Sequence, residues 1–303
     1  MSQRYPAGFI SAFYNPLKNP DAPTIGTATA GSSSASVTFT APSNVGGSAI
    51  TGFTVVSTPS GITGTGASSP ITVSGLSNGT AYTFTVFATN SYGPSAFSAA
   101  SNSVTPTMAI GEAFGGGFFA GQIGVSGVAT HNLVIGPVAS AQSSSKEYKN
   151  ANTATAGADS VIDGPQNTAD IVADGNSTVY PAAHFCNDLV IGGFSDWYLP
   201  AKNELEVCYF NLKPTTTSNN TASGINANAV PARASNYTAG NPAQTSATAF
   251  QTGNTEAFFA GVHWSSTEIS ATTAGDQGFG AGTQYSSLKT GSDYVRAIRR
   301  VAV

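Results

Sequence analysis

Residues 75–106 read "GLSNGTAYTFTVFATNSYGPSAFSAASNSVTP", and this stretch decides the fold of the first third of the chain. Tyr82, Phe84 and Val86 alternate with Thr83 and Thr85, the period-two pattern of a strand with one buried face. Asn78-Gly79 before it and Gly93-Pro94 after it supply turn chemistry. Working outward, "ASVTFTAP" (35–42), "AITGFTVVSTPSG" (49–61) and "SPITVSGL" (69–76) repeat the same grammar. About seven short strands between Pro23 and Pro106 predict a β-sandwich.

The specific run, Leu76 two residues ahead of Asn78-Gly79, then Tyr82, Phe84, Val86 and "NSYGPS", resembles a fibronectin type III domain over residues 23–107. The resemblance implies that Tyr82 is the structural tyrosine corner. Phe39 stands where that family usually carries Trp, which roughly keeps the core volume. Residues 24–107 contain no Asp, Glu, Lys, Arg or His. General acid–base and metal chemistry therefore have no groups to use here, and the module reads as a spacer or a binding platform.

A chain of 303 residues can form two or three domains, each with its own core. Only 9% of its residues are charged, against about 25% in ordinary soluble domains. Ser, Thr, Asn and Gly take their place, giving a surface solvated by hydroxyls and amides. The formal charge of −4 argues against nucleic acid as a partner, because that needs a basic face. No run approaches the ~18 apolar residues of a membrane span, so membrane insertion is not expected. The opening "MSQRYPAGFISAFYNPLKNP" lacks the apolar stretch of a signal peptide. An exported-type composition without an export signal is what a phage particle, released by lysis, would contain. Cys186 and Cys208 cannot build a disulfide framework.

Residues 1–22 combine Tyr5, Phe9, Phe13 and Tyr14 with Pro6, Pro16 and Pro20. This composition resists helix and is too short to fold alone. It reads as an anchoring arm ordered by a neighbouring virion protein, with a frayed terminus as the alternative.

Residues 108–303 open with a hairpin pattern, "FFAGQIGV" and "HNLVIGPV". Two or three short helices are expected after it. Asn167 is the expected N-cap of "PQNTADIVADG", and Gly175 its stop. Pro181 starts the second, with Ala182, Phe185, Cys186 and Leu189 as its apolar stripe. In "GGFSDWYLPAKNELEVCYFNLKP" (192–214) Pro200 starts the third, and Leu205, Cys208, Tyr209 and Leu212 form the stripe. Glu204 and Glu206 are expected to flank that stripe, and the two cysteines to lie on helices that pack together as buried thiols. A disulfide formed after lysis is the alternative.

The motifs "GGFSDWYLPAKNELEV", "HWSSTE" (263–268), "DQGF" and "YVRAIRR" (294–300) resemble the C-terminal domain of collagen-like bacterial adhesins, which also occurs in tailed-phage virion proteins. That family is C-type-lectin-like, so the resemblance implies a fold that is mainly β with a smaller α+β part. It implies a scaffold that commonly binds glycans or cell-surface polymers, not a reaction. The related formylglycine-generating oxidase needs a reactive cysteine pair near its end, and residues 209–303 contain no Cys.

Trp197 and Trp264 could stack on sugar, but both sit in fold-defining motifs and core packing is favoured. In lectin-like folds the long loop is where ligands bind, which points to residues 215–262 and to Arg233, Asn236 and Tyr237 as contacts; packing of this loop against a sister subunit is the alternative. Arg296, Arg299 and Arg300 are expected on one closing strand, paired with Glu204, Glu206, Glu268 or Asp196, with Arg296 buried and structural. Asp159, Asp163, Asp170 and Asp174 with Asn167 and Asn176 match no EF-hand spacing. They read as caps and turns, with calcium a weak second, so no cofactor is expected. His131, His184 and His263 lack metal-type spacing, and His184 reads as structural.

These readings point to a non-enzymatic virion surface protein, on tail fibre or head, that presents a lectin-like domain to host glycan as a homo-oligomer, a trimer favoured. The alternatives are a cement between virion subunits and, behind it, a polysaccharide-cleaving enzyme, which would need two carboxylates flanking a glycosidic bond.

Overall fold

The computed structural model of the chain describes residues 17–303, which divide into two compact units, the first ending at Met108 and the second running Ala109–Val303. Tyr5, Phe9, Phe13 and Tyr14 of the expected arm lie outside the described residues. The arm's last residues belong to the first unit. Lys18 N–H donates to Gly46 O (2.9 Å), the Asn19 amide to Pro94 O (2.8 Å) and Asp21 N–H to Asn44 O (3.1 Å).

Among its described residues the first unit has seven strands: β1 (Thr24–Gly31), β2 (Ser34–Thr40), β3 (Gly52–Thr58), β4 (Thr63–Gly66), β5 (Ile71–Ser74), β6 (Thr83–Asn90) and β7 (Gly93–Pro94). They form one sheet ordered β1-β2-β5 and another ordered β4-β3-β6-β7, all antiparallel. The alternation read from the sequence is the burial pattern. Val37, Val55, Val73, Phe84 and Val86 are fully enclosed, each worth about 1.5–3 kcal/mol relative to exposure. Phe39, in the usual Trp position, pairs with Phe53 at a ring separation of 4.8 Å, so two phenyls fill that volume. The Tyr82 hydroxyl accepts from Ser77 N–H at 3.1 Å, which makes the corner.

Residues 95–104 then run beside β6 with an unusual period. Ser95, Ser98 and Ser101 each donate a backbone N–H to β6, to Ala88 O (2.7 Å), Val86 O (2.9 Å) and Phe84 O (2.8 Å). The same three serine hydroxyls accept from the N–H of Ala88, Val86 and Phe84, each at 3.0 Å. Side chains thus replace the missing carbonyls, and three residues of this segment advance against two of β6.

The second unit contains β8 (Ala113–Phe114), β9 (Gly117–Val125), β10 (Val128–Ile135), α1 (Val138–Ala141), β11 (Gln142–Glu147), α2 (Gly164–Asp174), α3 (Pro181–Asn187), α4 (Lys202–Leu212), β12 (Ala229–Val230), β13 (Val262–Glu268), β14 (Thr273–Gly278), β15 (Gln284–Leu288), β16 (Ser292–Arg296) and β17 (Ile298–Ala302). One sheet runs β12-β9-β10-β17 with β8 beside β9; the other runs β11-β16-β13-β14-β15. Only the β13–β16 pair is parallel. Helix α4 packs on β9 of the first sheet and on β13 and β14 of the second. Gly121 permits the close approach: its φ is +121°, and a Cβ there would meet the Asn211 amide at 2.2 Å.

Four expectations are corrected. Asp163 caps α2, accepting from Gln166 N–H, while Asn167 is buried one turn in and bonds Ser160 through both ends of its amide. The stripe Leu205, Cys208, Tyr209 and Leu212 is buried, but so are Glu204 and Glu206, because both sides of α4 are covered by sheet. "YVRAIRR" is not one strand: it breaks at Ala297, so Arg296 ends β16 while Arg299 and Arg300 lie on β17 in the other sheet. Cys186 and Cys208 are free and buried in two different core clusters, so their helices do not share a seam.

Candidate functional site

The acids of α4 are girders inside the second unit. The Glu204 carboxylate receives the Tyr198 hydroxyl (2.6 Å), the Ala201 N–H (2.8 Å) and Arg300 Nε (2.7 Å). Burial holds this carboxyl above its usual range, against the opposing pull of Arg300. Glu206 receives Tyr237 Oη and Asn226 Nδ2, each at 2.6 Å, and the Arg233 guanidinium, which also lies 4.0 Å over the Phe210 ring. Residues 215–262 are fastened to α4 by these bonds and by Tyr209 Oη to Asn219 (2.6 Å), and to the residue that ends the helix by Lys213 Nζ to Thr217 O (2.6 Å). The loop singled out in the sequence is a packed layer of the unit.

That placement corrects the expected ligand contacts. Tyr237 is 4% exposed and Trp264 0%, so neither ring offers a face to a ligand. Trp264 packs edge-on against Tyr148 and donates Nε1–H to Lys146 O (2.9 Å), and Trp197 donates to Phe194 O (3.2 Å). Arg233 is committed to Glu206, and Asn236 alone of the four is exposed. Arg296 is buried, but its partner is Glu256 (2.9 Å), outside the expected set; it also donates to Gly136 O (2.9 Å) and stacks 4.7 Å over Phe258. Burial lowers it to about 10. Arg299 meets Asp196 (2.7 Å) and Lys289 meets Glu268 (2.7 Å). The acids around α2 do not converge: Asp163 caps, Asp170 receives Gln166, and Asp174 receives Tyr180. No group of three metal-type ligands occurs among the described residues. His184 holds Gly175 O at 2.7 Å.

A further set of polar groups lies on β13–β15. His263, Gln277 and Gln284 are cross-strand neighbours. His263 Nε2, both ends of the Gln277 amide and Gln284 Nε2 are buried without a hydrogen-bond partner in the described structure. Burial lowers His263 to about 3, so its ring is neutral. Asp276, also buried, is pushed up to about 6 by that burial.

A cavity of about 400 Å³ opens where residues 252–260 pass the start of β11, lined in part by Val138, Gln142, Thr252, Asn254, Phe258 and Phe259. No ionisable side chain lines it. Phe259 is 50% exposed and stacks on Tyr294 at 4.6 Å, and Tyr294 stacks on the buried His263 at 5.3 Å. A column of three rings therefore rises from the core and ends at an open phenyl face. Gln142 Oε1 is buried without a partner beside it. Phe259 is an aromatic of the otherwise polar residues 215–262, whereas Gln142 carries no signal in the sequence, since it is one amide in a polar strand.

Among known proteins, no curated protein matches the chain. Solved structures that match include the twitchin kinase region from C. elegans (21% identity, 29% of this chain and 17% of that one, TM-score 0.27) and a titin domain structure (27% identity, 30% and 32%, TM-score 0.26). A human fourth FNIII domain matches at 21% identity over 36% of this chain and 96% of that one, TM-score 0.27. The chain spans less than a third of the length of the first two. Residues 21–104 match the fibronectin type III domain family, and with their two sheets and the Tyr82 corner they are a fibronectin type III domain.

Proposed function

We propose that the protein is a surface component of a virus particle, a tail fibre or a head decoration, which attaches by its N-terminal residues and presents a C-type-lectin-like second unit to host-surface glycan. The fibronectin type III domain spaces the two. The observation that carries this reading is the division of labour among polar groups. Glu204, Glu206, Glu256 and Glu268 are each occupied by buried or half-buried cations, whereas the 252–260 cavity is lined by amides, hydroxyls and a free ring. Neutral groups of that kind suit carbohydrate, and weak single contacts gain strength when many copies bind together. Catalysis of glycoside cleavage is disfavoured, because it requires two carboxylates with a substrate's width between them.

The test is adhesion of the purified full chain to host envelopes, competed by soluble host glycan. Binding that glycan abolishes supports the adhesin. Particle incorporation without any envelope binding would instead favour a cement. That second reading draws on Val125 and Val128, which stand exposed at the β9–β10 turn as an apolar tip suited to a neighbouring subunit. Release of reducing sugar from host polymer would contradict both.

A further inference from the structure

We propose that the 252–260 cavity binds a neutral pyranose carrying an acetamido group, an N-acetylhexosamine unit of the host surface. The inference rests on the glycan-binding reading and names the sugar class of that site. At about 400 Å³ the cavity lies near the small end of ligand pockets, with room for roughly one or two sugar rings. Its lining carries no charge, so sulfated or uronic sugars gain no counter-ion there. The half-exposed Phe259 is held rigidly from behind by Tyr294, and its outer face suits the C–H side of a pyranose.

The acetamido group follows from the remaining wall. Val138 and Ala257 form a partly exposed apolar surface, and beside it Gln142 carries an amide that makes no hydrogen bond within the described protein. A hydroxyl-only sugar leaves that apolar wall facing water. An acetamido group offers a methyl to the wall and an N–H to Gln142 Oε1, the atom that lacks a partner, while its carbonyl, trans to that N–H, faces away from the glutamine. The glutamine turns to meet it without losing any bond it now has. Nearby Glu256 is neutralised by Arg296, and its Oε2 receives both Arg296 Nη2 (2.9 Å) and Val138 N–H (2.9 Å).

The full chain is titrated with methyl glycosides of N-acetylglucosamine and N-acetylgalactosamine and with their parent hexosides, by ligand-observed NMR. Phe259→Ala and Gln142→Ala are compared with Phe97→Ala, an exposed ring of the first unit. An acetamido sugar should bind at least about tenfold more tightly than its parent. Phe259→Ala should weaken it about tenfold and Gln142→Ala several-fold, with Phe97→Ala unchanged. Equal binding of parent and acetamido sugars overturns the proposal, as does binding indifferent to both cavity variants. A Phe259→Ala chain that changes its sedimentation but not its sugar binding would make that ring a subunit contact instead. Failure of every sugar while the chain still adheres to envelopes removes this site but leaves the adhesin; loss of adhesion as well removes both.

Discussion

Asp276 sits on β14 opposite Trp264 and Tyr285, enclosed in the sheet. Burial raises it to about 6; Ser287 pulls the other way, and Asp293 adds repulsion. Because its folded pKa lies above its unfolded value of 3.8, the folded state holds the proton more tightly, and stability falls as pH rises from about 4 through 6. Asp276→Asn removes that penalty. The variant should gain up to about 3 kcal/mol above pH 7 and nothing near pH 4, read by urea unfolding at both values; an equal gain at both would refute the account. His263 acts with the opposite slope. Its folded pKa of about 3 lies below 6.5, so it costs stability as pH drops below about 6.5, and comparing variant with parent cancels this contribution.

Helix α4 and residues 215–262 hold each other through Glu206. Glu206→Ala leaves the Arg233 guanidinium, Tyr237 hydroxyl and Asn226 amide without their shared acceptor. Breaking one side of a buried pair costs about 3–5 kcal/mol, and limited proteolysis should then cut within 215–245 first; cleavage elsewhere before that would contradict the role. This element also marks the limit of sequence reading. The strands of the first unit were legible because period two survives in a threonine-rich chain, and the α4 stripe because Leu205, Cys208, Tyr209 and Leu212 fit period 3.6. The burial of Glu204 and Glu206 was not legible. A stripe reports one covered face, whereas α4 is enclosed by two sheets, and its acids find partners far along the chain. Arg233 and Tyr237 stood out as chemically rich residues in a bland loop, and that prominence comes from the bond to Glu206. Nothing in local pattern marked Gln142, and although His263 and Asp276 fall in the motifs HWSSTE and DQGF, their buried, perturbed state arises only from what surrounds them.

At the scale of the whole molecule, charge divides between the units. Residues 24–107 carry no Asp, Glu, Lys, Arg or His, while the second unit holds the buried pairs of Glu204, Glu206, Glu256 and Glu268. Calorimetry should therefore resolve one melting transition whose midpoint stays within about 2 °C between pH 5 and 9 and another that moves by several degrees. Equal movement of both would contradict the division. The serine seam along β6 has a consequence for a protein displayed in many copies. Every second amide and carbonyl on that margin of the sheet is already engaged, by a partner whose stride does not match a flat strand. An incoming chain would have to strip away three hydroxyl bonds together before it could add itself to the sheet. Crowding many such modules side by side should thus leave them separate, with no route to fibril growth from this edge.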